Sequence, residues 1–591
     1  MEAASIEQRQ SSWHELNLWN STLVFNRELP AFRWGDPQAD WELQPVDLRT
    51  ENLLEAIAES FVSKAASSPL KPSLVPHGQS LETETAVRVA DDFVFGVWNQ
   101  TQAEEACIQM FLDAYVSGIG CVEVAYNKKT EELHVESVFF DNIIIDNREC
   151  PAGGGSAPRT YRIRRVLPQA TVEAQYGVKL DKQQTYKVGY RQGCAPGWVV
   201  VIEAWTPGER HMVATGDTIL FEEEWKEDWV PLVFFHWTDH RSGFLGKSGV
   251  EQLLPYQTKQ NDLGEAVEKA IDIVCVPRLL MNANSMMDVG QLDNEMGRAW
   301  LYSGIEPKPF EWRTDLSTLL NERERNWSKA FSHVGLSEQF AGADMPQQVR
   351  LDSSAGVREF HNMEDRRNLR RWSRYEKARE NVAKTIVNVL GNEKGADAFS
   401  TYYHSGNPRT NVVEIPYEAI KQLGKDQYSW TMAMTPLQAM SPAARRELIR
   451  DYTSRGLIKE GSEEARRMEG NTNLEREEEL EMMSKEDIDL RVLKILQSGE
   501  YEQPTNLQNL TYGIRRVAAN MHRLKKYEDV KPGDKRIMNH TKWIVNAIAI
   551  QKQTLIQAQQ QNQMTAFSPT QGMPGTNSSN GPPTIVQAPP Q

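Results

Sequence analysis

The sequence predicts an α+β fold that is mainly helical, and three observations predict it. Apolar residues recur at helical spacing over most of the chain. One internal region, after Gly118, switches to strand alternation punctuated by turn formers. Between Gly246 and Leu390, two long helices flank a proline-marked insert, and a third, arginine-studded helix follows a glycine-containing loop. At 591 residues, with 40% apolar and 25% charged residues, the chain can bury a substantial core and form more than one structural unit.

Residues 1–49 carry Trp13, Trp19, Trp34 and Trp41 among turn formers and read as an irregular arm. Helices dominate from Thr50 to about Val116, with one stripe through Leu53, Ala56, Ile57, Phe61 and Val62 and another through Ala90, Phe93, Val94, Val97 and Trp98. Residues 121–126 and 133–138 alternate around the polar turn Asn127-Lys128-Lys129-Thr130 and predict a β-hairpin. Further strands fall at 161–166, 198–205 and 218–222, with a glycine-rich loop at 151–155. This α+β part ends near Trp237, within a region 50–246.

Ser248-Gly249-Val250-Glu251 is a capping box, in which the serine hydroxyl and the glutamate carboxylate satisfy otherwise unpaired amides at a helix start. The helix it opens, 247–275, meets Pro255, which predicts a kink or restart. Leu263, Ala266, Val267, Ala270, Ile271 and Val274 form its packing face. Residues 257–262 have no apolar stripe, so this part is expected to line a wet space rather than a core. From Val250 to Ile273 the helix spans roughly 36 Å. Pro277 ends it, and the insert 276–314 carries Asn282, Asn284, Gly290, Gly304, Pro307 and Pro309. A second amphipathic helix, 315–340, returns through Leu316, Leu319, Leu320, Trp327, Ala330, Phe331 and Val334 and stops near Gly335.

A polar loop, 341–356, contains Gly342, Pro346, Gln347, Gln348 and Arg350. The third helix, from about Ser354 to Leu390, alternates Val357, Phe360, Met363, Leu369, Trp372, Tyr375, Val382, Ile386 and Val389 with Arg358, Arg366, Arg367, Arg370, Arg371, Arg374, Lys377 and Arg379. The segment 401–430 is mixed. Ser441-Pro442 caps a return to helix. Residues 475–481 form an acidic run, and a final helix is expected over 535–553 with Ile537, Ile544, Ile548 and Ile550. From 557 the chain is mostly Gln, Pro, Asn, Ser and Gly without charge and reads as a disordered tail.

The formal net charge of −15 argues against a protein whose main task is to grip nucleic acid through phosphate contacts. Cys107, Cys121, Cys150, Cys194 and Cys275 are scattered, odd in number and lack CxxC spacing, as expected of reduced structural thiols. The acidic start predicts no signal peptide, and no apolar run approaches the length of a membrane span, so a cytoplasmic setting is expected.

Taken together, Ser248-Gly249-Val250-Glu251 leading into Asn261-Asp262, the insert, and Leu336-Ser337-Glu338-Gln339-Phe340 followed by Ser353-Ser354-Ala355-Gly356-Val357 resemble the portal (head-to-tail connector) proteins of tailed bacteriophages. The resemblance covers about residues 50 to 550. It implies the portal fold: a wing (50–246 and 357–435), a stem helix (247–275), a clip (276–314), a returning stem helix (315–340), a tunnel loop (341–356) and a helical crown (436–556). It further implies a dodecameric ring at one capsid vertex, a non-enzymatic channel without cofactor or metal, through which viral double-stranded DNA is packaged and ejected without sequence specificity. Such a chain is assembled in the host cytoplasm and resides in the virion. The implied partners are the terminase large subunit and tail adaptor proteins at the clip, with major capsid and scaffolding proteins around the wing; no membrane is involved. Lys259, Asp262, Glu265, Glu268, Lys269 and Asp272 become candidates for lining the channel, and Gln347, Gln348 and Arg350 candidates for touching the duplex from the tunnel loop.

Competing chemistry is weaker. Gly246-Lys247-Ser248 suggests a phosphate-binding loop, but the glycine that the motif requires five residues before Gly246 is Arg241. His236 and His240 sit at a strand end, where residues four apart need not converge on a metal. The arginines of the third helix have two readings, phosphate contact or packing with ion pairing to Glu364, Asp365, Glu376 and Glu380, and the interleaved acids favour the second. Two alternative functions remain beside the channel: a head or scaffold protein that conducts no DNA, and a nucleotide hydrolase whose turnover would depend on Lys247.

Overall fold

The fold is that of a computed structural model. It describes residues 2–25, 51–67, 70–77, 80–127, 132–150, 157–180, 197–239 apart from 217, 243–275, 278–280, 308–310, 316–336, 354–393, 399–403, 412–416, 428–434, 453 and, with short breaks, 484–566. The chain divides into two compact units, Met1–His77 with Thr85–Leu448, and Gly78–Glu84 with Ile449–Gln591.

The larger unit begins with α1 (Glu2–Arg9), α2 (Ser11–Phe25), α3 (Leu53–Ser67), β1 (Leu70–Pro76), α4 (Leu81–Gln100, its first turn belonging to the smaller unit) and α5 (Ala103–Ser117). Strands follow: β2 (Ile119–Asn127), β3 (Glu132–Val138), β4 (Ile143–Ile144) and β5 (Tyr161–Pro168), then α6 (Gln169–Tyr176), β6 (Trp198–Thr206), β7 (Arg210–Thr215), β8 (Thr218–Glu224) and β9 (Leu232–His236). The second half holds α7 (Gly249–Cys275), β10 (Arg278–Leu280), β11 (Lys308–Phe310), α8 (Leu316–Val334), α9 (Ser354–Glu393), β12 (Phe399–Tyr403), β13 (Val412–Pro416) and β14 (Tyr428–Met434). The smaller unit contains α10 (Leu510–Leu524) and α11 (Lys535–Ala566).

Helix α5 is the hub of the core. Cys107, Met110, Phe111, Ala114 and Tyr115 are buried at helical spacing, and Phe111 stacks on Phe235 at 5.6 Å and on Trp372 at 5.4 Å between ring centroids. Tyr375 and Trp237 meet the same ring edge-on at 4.8 and 5.3 Å. One ring therefore joins α5, β9 and α9, through geometries that the aromatic quadrupole favours. Gly118 ends α5 in the left-handed conformation, φ 87°, its amide donating to the Ala114 carbonyl at 2.9 Å.

The expected hairpin is β2 and β3, in register Cys121↔Val138, and β9 joins it on the other side of β2. A five-stranded antiparallel sheet runs β4-β5-β6-β7-β8. Its strand β7 and the strand β1, which pairs with β14, have no counterpart in the sequence-based expectation. β12 and β13 form a two-stranded sheet within the segment read as mixed.

The irregular arm is corrected over residues 2–25, where α1 and α2 are helices; its remainder, 26–49, lies outside the described residues. The reason is visible in what α2 buries, namely His14, Asn17, Asn20 and Ser21 along with Leu18, Leu23 and Val24. Hydrogen bonding replaces an apolar stripe. His14 Nδ1 lies 3.1 Å from Asp141, and the buried Arg164 guanidinium binds Glu7 and Asp141, the latter at 2.9 Å. Burial, and then the charge of Arg164, lower the His14 pKa to about 4. The expected tail is corrected at its start, since α11 runs to Ala566.

The smaller unit packs Ile488, Val492, Ile495, Leu510, Val517 and Ala547 around Trp543. Gly513 is required there, because a Cβ would lie 2.4 Å from the Trp543 ring.

Three glycines seat the start of α7. A Cβ on Gly246 would lie 2.1 Å from the Gly118 carbonyl oxygen, and one on Gly249 2.5 Å from the Tyr115 ring. Gly246→Ala should therefore destabilise the chain by about 1–3 kcal/mol. Gly264→Ala, at a helical site whose nearest other atom is 3.9 Å away, should be neutral or stabilising by up to about 1 kcal/mol. Thermal melting of the two variants checks this.

Candidate functional site

Helices α7 and α8 form the hairpin on which the expected channel-lining residues lie. The capping box is present: the Glu251 amide donates to Ser248 Oγ at 3.0 Å, and the Ser248 amide donates to Glu251 Oε1 at 3.2 Å. Ser248 is fully buried, with Asn20 Nδ2 3.4 Å from its hydroxyl. The kink or restart expected at Pro255 is not a break, since α7 is one continuous helix with Pro255 inside it. Pro255 is exposed, and the carbonyl it deprives of an amide partner can be hydrated on that side.

The wet middle of α7 is also corrected. Gln257 and Gln260 are buried in a hydrogen-bonded seam. Gln257 Oε1 accepts from the Leu53 amide at 2.9 Å, and its Nε2 donates to Asn261 at 2.9 Å and to the Glu51 carbonyl at 3.3 Å. Gln260 donates to the Glu51 carboxylate at 2.8 Å and accepts from Asn326 of α8 at 2.9 Å. Asn326 also donates to the Tyr256 carbonyl at 3.0 Å, and Arg323 binds Glu51 at 2.9 Å. Side-chain amides donate and accept at once, so a run of them can be buried where no apolar stripe exists. The sequence signal was Gln257, Gln260 and Asn326 themselves, polar yet uncharged within otherwise charged helices.

Further along, Val267 and Ala270 are buried as expected and Leu263 is half-buried. Ile271, expected to pack, is 41% exposed.

Lys259, Asp262, Glu265, Glu268, Lys269 and Asp272 are all exposed. At about 100° per residue they occupy one half of the helix circumference, opposite Leu253, Gln257, Gln260 and Val267. Two lysines face four carboxylates, so the half is net acidic. Lys259 pairs with Glu322 of α8 at 3.4 Å, and Lys269 with Glu265 one turn away. These hydrogen-bonded lysines hold the Glu322 and Glu265 carboxyls below their ordinary values. Among the described residues, Asp262, Glu268 and Asp272 make no ion pair. Gln347, Gln348 and Arg350 lie outside the described residues. Of the insert, only the antiparallel pair β10–β11 is described.

Arg371, Arg374 and Arg379 of α9 are built into the fold, whereas the side chains of Arg358, Arg366 and Arg367 lie outside the described residues. Arg379 is 1% exposed and paired with Glu104 of α5. Burial pushes the Glu104 carboxyl up, and Arg379 acts against it. Arg374 pairs with Asp239, and the Arg371 guanidinium lies 3.9 Å from the centroid of the Trp237 ring, its pKa lowered to about 10 by burial. Arg370 projects to solvent, 3.9 Å from Asp239 at its nearest approach. Of the four partners expected from helical spacing, Glu380 pairs with Lys377 and Lys384, and the side chains of Glu364 and Asp365 lie outside the described residues; Arg374 and Arg379 reach to other elements. Leu369, expected in the core, is 63% exposed.

At the glycine loop, the Lys247 amide donates to the Thr238 carbonyl at 2.8 Å and the Ser248 amide to Glu251. Amides that would cradle a phosphate are already engaged within the chain. His236 is half-buried and edge-on against Phe244 at 4.7 Å, and its partial burial lowers its pKa; His240 lies outside the described residues. Among the described residues no His, Cys, Asp or Glu cluster suited to a metal occurs. Cys107, Cys121 and Cys150 are free thiols and buried, and no described helix is long and apolar enough to cross a membrane.

Asn326→Leu should leave the Gln260 carbonyl oxygen buried without its donor and destabilise the chain by about 1–3 kcal/mol. Lys259→Ala, which removes only an exposed pair, should change stability by less than about 1 kcal/mol. Urea midpoints of the two variants separate seam from surface. No protein-family model matches this chain, and comparison with curated proteins finds no match.

Proposed function

We propose that the chain is one subunit of a ring-shaped, non-enzymatic conduit for double-stranded DNA, of the portal type, set at a vertex of a viral capsid. The observation that carries this reading is the hairpin α7–α8. A 27-residue and a 19-residue helix flank an insert containing a small sheet, their seam is closed by side-chain amides, one half of α7 is charged and exposed, and a 40-residue helix follows.

Geometry makes such a hairpin a workable wall. At about 1.5 Å per residue, α7 is about 40 Å long. Twelve helices about 10 Å wide, set side by side, close a circle about 38 Å across between axes and leave a lumen of about 28 Å, enough for a duplex of about 20 Å. Electrostatics suits passage rather than capture. A wall with an acidic excess, repeated around the ring, repels the backbone from every side and keeps it centred, and screening confines the effect to about 8 Å at physiological salt. Fixed phosphate contacts would have to be broken at each step and would act as friction.

The work of packaging then comes from a separate ATP-hydrolysing terminase docked on the insert, where tail adaptors also bind. Capsid and scaffolding proteins contact the α+β part.

Electron microscopy of the purified chain should show annular particles, twelvefold in top view, with a central hole wider than about 20 Å. Solid particles would favour a head or scaffold role, and lone monomers at all concentrations and in infected cells would end the conduit reading. Deleting residues 342–350 should leave the annulus intact and reduce DNA packaged or retained per particle. A ring that collapses on this deletion would instead make the loop structural.

A further inference from the structure

The charge of the chain is segregated. Residues 510–566 hold ten lysines and arginines and three acidic residues, net +7, in a chain of net −15, leaving −22 for everything else. Helices α10 and α11 contain no acidic residue at all. They pack antiparallel, as the contacts Gln551 to Thr511 at 3.0 Å and Thr541 to Met521 at 3.6 Å require. The C-terminal end of α10 and the start of α11 therefore lie side by side, and Lys525, Lys526, Lys535 and Arg536 gather at one end of the hairpin.

Among the described residues the nearby acids are engaged elsewhere; Glu528 and Asp529 lie outside them. Glu84 binds Arg523 and Tyr527, Asp489 binds Arg516 at 2.9 Å, and Asp534 caps α11 by accepting from the Arg536 amide at 2.8 Å. Lys525, Lys526 and Lys535 are exposed and make no ion pair among the described residues, and Arg515 extends the same charge up the solvent side of α10. Lys535 and Arg536 also stand in the first turn of α11, where the helix macrodipole disfavours cations. Cations kept where folding is better served without them point to a partner.

We infer that this end of the α10–α11 hairpin binds the phosphate backbone of duplex DNA, without base specificity. The choice of DNA among polyphosphates rests on the conduit reading; the cation cluster itself does not. From Arg515 to Lys526 is about 16 Å along the helix, a reach that covers several phosphates. An anionic membrane fits less well, because it needs an apolar face beside the cations. Apart from Met538, the large exposed apolar residues of α11 begin at Val545, about 15 Å from Lys535.

The test uses the full chain and a fluorescently labelled duplex of about 20 base pairs, read by anisotropy across a salt series. The wild type should bind mixed and AT-only duplexes alike, with affinity falling steeply as salt rises. The triple variant Lys525→Gln/Lys526→Gln/Lys535→Gln should bind at least tenfold more weakly at low salt, with the slope of log affinity against log salt smaller by roughly 2–3. Its melting temperature should not fall, since Lys535→Gln removes an unfavourable charge from a helix start; Lys535→Gln alone, weaker in binding and equal or higher in melting temperature, provides the same check should the triple fold poorly. Equal binding by wild type and variant overturns the inference. So does a loss confined to vesicles of phosphatidylserine and phosphatidylcholine, or a preference for duplex RNA. Binding without annular particles would sink the conduit alone, and annular particles without binding would sink only this site.

Discussion

The buried side-chain amides that tie α7 to α8 and to residues 51–53 fix the rest of the hairpin. Gln257, Gln260 and Asn326 are buried, and each makes its hydrogen bonds to a defined partner: the Leu53 amide, the Glu51 carboxylate and carbonyl, the Tyr256 carbonyl. Apolar seams tolerate sliding, because one methyl contact resembles another. A seam of amides does not, since a shift of one residue would leave buried donors and acceptors without partners, each costing about 1–3 kcal/mol. Register follows from this, and orientation with it. Once Gln257 and Gln260 are committed inward, Lys259, Asp262, Glu265 and Glu268 have nowhere to point but outward. The exposed charged half of α7 is thus a consequence of which polar residues are buried.

Much of this architecture was legible locally. The capping box at Ser248, the hairpin β2–β3 and the extents of α7, α8 and α9 all depend on residues within a few positions of one another, where hydrogen-bonding chemistry and periodicity act directly. What stayed hidden depends on distant partners. β9 reaches β2 across more than a hundred residues, and nothing in Leu232–His236 encodes that choice beyond being apolar. α1 and α2 were obscured because they bury Glu7, His14, Asn17 and Asn20, whose burial is made possible by Asp141, Arg164 and Ser248 far along the chain. The middle of α7 failed for the same reason. A polar stretch reads as solvated until its partners are known.

The cations of α9 carry the lesson into electrostatics. A helix with nine basic residues invites assignment to nucleic acid, yet Arg379 is buried against Glu104, Arg374 is tied to Asp239, and Arg371 lies over Trp237. A guanidinium with an aromatic face or a buried carboxylate beside it is held by contacts that a passing phosphate would have to displace, and a buried charge stripped of its partner is strongly unfavourable. These residues make α9 a strut locked to α5 and to the segment that follows β9. Charge count alone mistakes such a strut for a binding surface.

The α10–α11 hairpin differs in the respect that matters. Lys525, Lys526 and Lys535 have no aromatic or carboxylate seat among the described residues, and Lys535 and Arg536 oppose the dipole of their own helix. Screening lets both kinds of surface coexist in one chain, because each field is largely damped beyond about 8 Å at physiological salt. On the proposed reading, an acidic excess on α7 keeps a duplex off a wall while the cations of the α10–α11 hairpin hold phosphates. A polymer passed through a conduit meets resistance where it is bound and slips where it is not, so confining attraction to one end of one hairpin would give a brake of bounded strength. Its strength would be set by how many lysines face the backbone and by the salt around them, rather than by any base sequence.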